Sequence, residues 1–230
     1  MNITLKNYFL LLIMALAFCA CNDDNTLTQR QPDAVGSFVD ARDGFTYHYV
    51  RYGNLEWTIE NAHYLIPDDL LCTIYQPVEY SWNDPIDSTY YDQFGCLYSY
   101  EGALQSTPEG WRVPTDDDWK ALERHFGMSV SDADGLDWRG GIASMLMERS
   151  NTYNTMSILM GGYNTDYVVG GRTGWKYLGV YAYYWTATTD SVRGSYAFAR
   201  KLCYNQAGVW RRSMEKTHYQ LSVRFVRDAK

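Results

Sequence analysis

Among the residues of this chain that can do chemistry, Cys21 is set in the most specific pattern. Lys6 precedes an uncharged apolar run from Tyr8 to Ala20, too short to cross a bilayer as a helix but suited to the core of an export signal. The small residue Ala20 stands directly before Cys21. A lipoprotein signal peptidase requires a thiol at that place, because the sulfur takes a diacylglycerol before the chain is cut after Ala20. Cys19 follows the bulky Phe18 and is the poorer site. The expected mature protein therefore begins at a lipidated Cys21, tethered to a membrane without spanning it. Residues 1–20 read as the signal, 21–34 as lipidated terminus and polar tether, and 35–230 as one folded domain.

Other reactive residues are sparse. Cys72, Cys96 and Cys203 permit at most one disulfide within the chain, with Cys72 and Cys96 the pair to test. Cys203 reads as a small core residue. His48, His63, His125 and His218 lack metal-ligand spacing. There is no Gly-x-Ser-x-Gly elbow and no phosphate-cradling glycine loop. Asp132, Asp134 and Asp137 surround Gly135, but their spacing departs from a helix-loop-helix calcium site, and a capped turn accounts for them. Neither a catalytic residue, a metal site nor a cofactor is expected.

The aromatic content points elsewhere: 21 Tyr, 8 Trp and 8 Phe. Tyrosine and tryptophan offer flat apolar faces with a polar rim, which suits half-buried strands and sugar-binding surfaces alike. Candidate ligand-binding positions are Tyr80, Trp82, Tyr90 and Tyr91 in an irregular loop, and Trp175, Tyr177, Tyr181 and Tyr183 beyond a pair of glycines. Core packing remains an open alternative for each. The net charge of −7 argues against a nucleic-acid partner and against electrostatic binding to anionic lipid. That leaves the lipid on Cys21 as the link to the membrane, and a glycan or protein as the ligand.

The elements that must position these residues are mostly short. Asp43-Gly44 between Gly36–Ala41 and Phe45–Tyr52 predicts a tight hairpin, and Gly53-Asn54 turns the chain into a third strand, Leu55–Glu60. Residues 67–93 read as irregular and Leu97–Gln105 as a short helix. Thr115, with Asp118 three residues on, caps a helix that places Trp119, Leu122 and Phe126 on one face and stops at Gly127. Gly141–Arg149 is a second helix. Strands are expected at Ser157–Tyr163, Tyr183–Thr188, Tyr196–Tyr204, Val209–Met214 and Gln220–Arg227, the last with a basic face of Arg224 and Arg227. The sum is an α+β domain with antiparallel sheets, two or so short helices and long loops.

Several of these stretches together resemble the Fibrobacter succinogenes major paralogous domain family. They include Asp43-Gly44 with Tyr47, Gly53-Asn54 with Trp57, and Glu60-Asn61, then Asn83-Asp84-Pro85 and Gly95 with Leu97-Tyr98. Gly110-Trp111-Arg112-Val113-Pro114-Thr115 with Trp119 follows, then Gly161-Gly162-Tyr163, Tyr184-Trp185-Thr186 and Ser222-Val223-Arg224 with Val226-Arg227-Asp228. Coverage is about residues 35–228. Through that family the chain is similar, more distantly, to the C-type-lectin-like fold of formylglycine-generating enzymes. The resemblance implies that the first and last strands pair and that a rigid base presents a loop-rich face. It also implies a core role for Tyr184 and Trp185. Those enzymes bind copper through two cysteines near the C-terminus. Here Cys203 stands alone in that region and Phe225 occupies a place where the family often has cysteine, so that activity is not expected. The acidic pair Asp23-Asp24 after Cys21 resembles the signal that sends Bacteroidetes-type lipoproteins to the outer face of the outer membrane. The combined expectation is a non-catalytic, surface-exposed binding module, with a fimbrial or envelope structural subunit as the alternative.

Overall fold

The computed structural model describes residues 31–75, 88–169 and 172–230. In chain order the described elements open with β1 (Ala34–Val39), β2 (Thr46–Tyr52), β3 (Leu55–Thr58), β4 (Cys72–Ile74), α1 (Ser88–Phe94), β5 (Cys96–Tyr98) and α2 (Tyr100–Gln105). Next come α3 (Asp116–His125), α4 (Val130–Asp134), β6 (Asp137–Arg139) and α5 (Ala143–Met147). The chain ends in strands: β7 (Tyr163–Val169), β8 (Arg172–Lys176), β9 (Tyr181–Thr189), β10 (Tyr196–Cys203), β11 (Val209–Glu215), β12 (Tyr219–Gln220) and β13 (Val226–Asp228). The class is α+β, with antiparallel sheets and five short helices among the described residues, and none of these helices is long and apolar enough to cross a membrane.

Local turn chemistry builds the first sheet. Gly44 at φ 77° closes the β1–β2 hairpin and Gly53 at φ 61° turns β2 into β3, conformations that glycine adopts without a Cβ penalty. The strand order is β1-β2-β3-β13. The closing strand therefore pairs with β3, and the implied pairing of first with last strand does not occur. The β2–β3 turn leaves β1 on the outer edge and offers the free side of β3 to the C-terminus.

The second sheet, β6-β11-β10-β9, separates two hydrophobic cores. Alternation along β9 sends Ala182 and Tyr184 into one core and Tyr183 and Trp185 into the other. A strand buried on both faces loses the polar-apolar alternation of a surface strand, which is why Tyr181–Trp185 shows none. The first core also takes the apolar face of α3, where Trp119 meets Trp57 edge-on at 5.2 Å. Such a pair contributes about 0.5–1.5 kcal/mol beyond its buried area. Thr115 caps α3 in the expected way: its hydroxyl accepts from the Asp118 amide, and the Asp118 carboxylate accepts from the Thr115 amide at 2.7 Å.

Several expectations need correction. The 67–93 stretch holds β4 and α1 in its described parts, and the helix expected at 97–105 is divided into β5 and a Ser99-capped α2. Ser157–Tyr163 is not a strand. Ser157 sits at φ 44°, and the carbonyls of Met156 and Ser157 accept from the Arg224 guanidinium at 3.2 and 3.1 Å. Gln220–Arg227 is not one strand either, because its partner changes every residue or two. Leu221 exchanges hydrogen bonds with Tyr98, Ser222 pairs with Tyr183 and Trp185, and Val223 accepts from Ala62. Val226 then exchanges hydrogen bonds with Arg112. The segment is a seam joining the sheets, so Arg224 is fully buried instead of forming an exposed basic face. Its Nε donates to Asn61 Oδ1 at 2.8 Å, the same oxygen that accepts from the Tyr184 hydroxyl at 2.9 Å. Cys72, Cys96 and Cys203 are free thiols, all buried. Cys72 and Cys96 lie on paired strands but are offset, Cys72 opposite Tyr98 and Cys96 opposite Ile74.

Candidate functional site

Two adjacent rows of side chains cross the second sheet, and they point to opposite faces. The inward row is Tyr184, Arg200 and Arg211, from β9, β10 and β11. Arg200 is completely buried and donates through Nη1 to Asp116 Oδ1 at 2.7 Å and through Nε to Glu123 Oε1 at 2.7 Å. Arg211 forks onto Asp116, with 2.6 Å from Nη2 to Oδ2, and Arg139 holds the other oxygen of Glu123 at 2.9 Å. Burial raises the Asp116 pKa, but Arg211 and Arg200 outweigh it and hold the carboxyl well below the usual range. Three guanidinium groups share two carboxylates here, each of them paired and buried. This is a structural ion network.

The outward row consists of Tyr183, Lys201, Trp210 and Trp138, directly opposite one another on β9, β10, β11 and β6. The Lys201 ammonium lies 4.6 Å from the Trp210 ring centroid, 4.8 Å from Trp138 and 5.7 Å from Tyr183. Near Trp185 and Ala199 this face is covered by the second core. Towards Lys201 it opens into a cleft of about 430 Å³ between the second sheet and the three-stranded sheet β12-β7-β8. Tyr163, Tyr167 and Tyr219 form the wall contributed by the smaller sheet, and Tyr196, Met214 and Glu215 lie on the other side.

The electrostatics of the cleft follow from its rings. Burial raises Tyr163 to about 12, and the hydrogen bond to Glu215 raises Tyr167 to about 12, so both stay protonated and able to donate near neutral pH. Tyr167 Oη donates to Glu215 Oε2 at 2.5 Å. Burial lowers the Lys201 pKa, against the weaker opposing influence of Cys203 and Asp137.

The eight sequence-derived aromatic candidates divide into groups. Tyr183 lines the cleft, and Tyr177 and Tyr181 flank it, with ring centroids 5.8 Å from Tyr163 and 6.0 Å from Tyr183. Trp175 and Tyr90 instead gather around Tyr75, at 6.0 and 4.9 Å, away from the cleft lining. Tyr91 is a packing residue: its hydroxyl donates to the His63 carbonyl at 2.8 Å and its ring lies 3.9 Å from His63. Tyr80, Trp82 and the lipidation residue Cys21 lie outside the described residues. Of the three aspartates around Gly135, Asp134 pairs with Lys120 at 2.9 Å and Asp137 with Arg212, while Asp132 lies in the Ser129-capped α4. Among the described residues no group of three His, Cys, Asp or Glu could hold a metal ion.

Sequence reasoning missed Lys201, Trp210, Tyr163, Tyr167, Tyr196 and Tyr219. A signal was present. Tyr163 and Tyr167, Tyr181 and Tyr183, and Trp210 and Met214 all stand at even spacing, which places each pair on one face of its strand.

An α+β domain with a seam-like C-terminus and an aromatic cleft is the class that this fold defines. The chain belongs to the Fibrobacter succinogenes major domain family (Fib_succ_major), whose model matches residues 50–227. No curated protein and no solved structure gave a significant match.

Proposed function

We propose that this chain is a non-catalytic recognition module, anchored to the outer membrane through a lipid on Cys21 and exposed at the cell surface, whose aromatic cleft binds a glycan. The observation that carries this reading is the outward row of Tyr183, Lys201, Trp210 and Trp138. It offers ring faces beside a charged donor at the mouth of a 430 Å³ cleft, within the size of small-ligand sites. Rings stack on the apolar faces of sugars, and the tyrosine hydroxyls and the ammonium direct hydrogen bonds at their oxygens. Glu215 is the one carboxylate among the described lining residues, and glycoside hydrolysis in its usual form needs a pair. The signal-like N-terminus and Ala20-Cys21 support the anchor.

A glycan-array screen of the full chain in detergent, run with calcium and again with chelator, tests the reading. Saturable binding that Trp210→Ala abolishes supports it, and a silent array counts against it. One observation favours the structural-subunit alternative. β1 is a six-residue edge that pairs only with β2 among the described residues, and it exposes Val35 and Val39. An open edge of that kind accepts a strand from another chain. Co-purification of an envelope protein, lost when Val39 is changed to Lys, would move the assignment there.

A further inference from the structure

We infer that the cleft takes an acidic glycan, with the Lys201 ammonium meeting a ligand carboxylate or sulfate while the flanking rings stack on its sugar faces. This rests on the recognition reading and names its ligand class.

Lys201 is the exception among the cations of its sheet. The four arginines there each hold a carboxylate: Arg139 holds Glu123, Arg200 and Arg211 hold Asp116, and Arg212 holds Asp137. Lys201 has neither an ion pair nor a hydrogen bond to the described residues, and its close neighbours are rings. Ring faces attract a cation but accept no strong hydrogen bond, so the three N–H groups remain available to a ligand. The nearby acids are already committed. Glu215 accepts from Tyr167, Asp137 is forked by Arg212, and Asp190 accepts from Ser213 at 2.6 Å and pairs with Arg193. An anionic group arriving from outside is the missing partner. The surrounding chemistry favours a sugar over an acidic peptide. The strands beneath the row already exchange their backbone hydrogen bonds with each other, leaving rings to make the contact.

The test is titration of the full chain in detergent with tetragalacturonate, its carboxyl-reduced tetragalactose, a heparin tetrasaccharide and hexaglutamate. The expected result is binding of one or both acidic sugars, at least tenfold tighter than tetragalactose and weakened by salt. Preference for tetragalacturonate identifies a carboxylate ligand, and preference for heparin a sulfate. Lys201→Gln is expected to erase the preference without moving the melting temperature much, and Lys201→Arg to retain it. Equal binding of tetragalactose, or a preference that survives in Lys201→Gln, overturns the inference while leaving glycan recognition standing. Binding of hexaglutamate alone, or of none of the four, overturns it together with the glycan reading.

Discussion

Arg200 and Lys201 are consecutive residues on β10 with the same charge and opposite surroundings. Arg200 points into the first core and is held by Asp116 and Glu123, with no exposed surface. Lys201 points into an aromatic cleft and makes no ion pair with the described residues. The strand's two-residue period separates them, and burial decides what each must do. A cation taken fully out of water needs matched carboxylates or the fold fails, whereas a half-buried one among rings can keep its hydrogen-bonding capacity for a ligand. On the proposed reading the sheet carries stability on one face and recognition on the other.

The largest expected effect is on the inward face. Arg200→Leu should cost about 3–5 kcal/mol, because it removes the buried guanidinium that joins Asp116 to Glu123 and leaves each carboxylate to a single arginine; chemical denaturation measures it. Asp116→Asn attacks the same network from the other side and gives it a pH signature. Asp116 has a depressed pKa in the folded protein, so its stabilisation is complete above the unfolded value of about 3.9 and is lost as pH falls through the folded value. The stability gap between wild type and Asp116→Asn should be wide at pH 7 and should close below about pH 4. A gap unchanged at low pH would remove the carboxylate from the account of that network. Thr115→Ala, which removes the α3 cap, should cost about 1 kcal/mol, and an unmoved denaturation midpoint would contradict the capping box. Lys201→Gln should be the mildest, about 1 kcal/mol or less, since it removes only cation–π contacts. If it unfolds the protein as readily as Arg200→Leu, the division of labour between the faces is wrong.

What was legible in the sequence is what local chemistry determines. Asp43-Gly44 and Gly53 set the opening hairpins, and Thr115 with Asp118 set the start of α3, each within a few residues. The seam at 221–226 was not legible, because its alternation suggests a single partner whereas the segment has several in succession. Asp116 stands in the first turn of α3, where the helix dipole alone would account for an aspartate, but its partners Arg200 and Arg211 are 84 and 95 residues away. The cleft was half legible. The tyrosines at 177, 181 and 183 stood out by density, but Lys201 acquires meaning only when strand register brings Tyr183, Trp210 and Trp138 into its row.

Methyl spectra of the full chain, labelled at methionine and titrated with the strongest-binding array glycan, test the location of binding most directly. Met214 lines the cleft, whereas Met156 is fully buried in the first core. Binding in the cleft should shift the Met214 signal progressively to saturation and leave Met156 in place. A ligand that saturates the protein while the Met214 signal stays fixed would contradict the assignment of the cleft as the binding site.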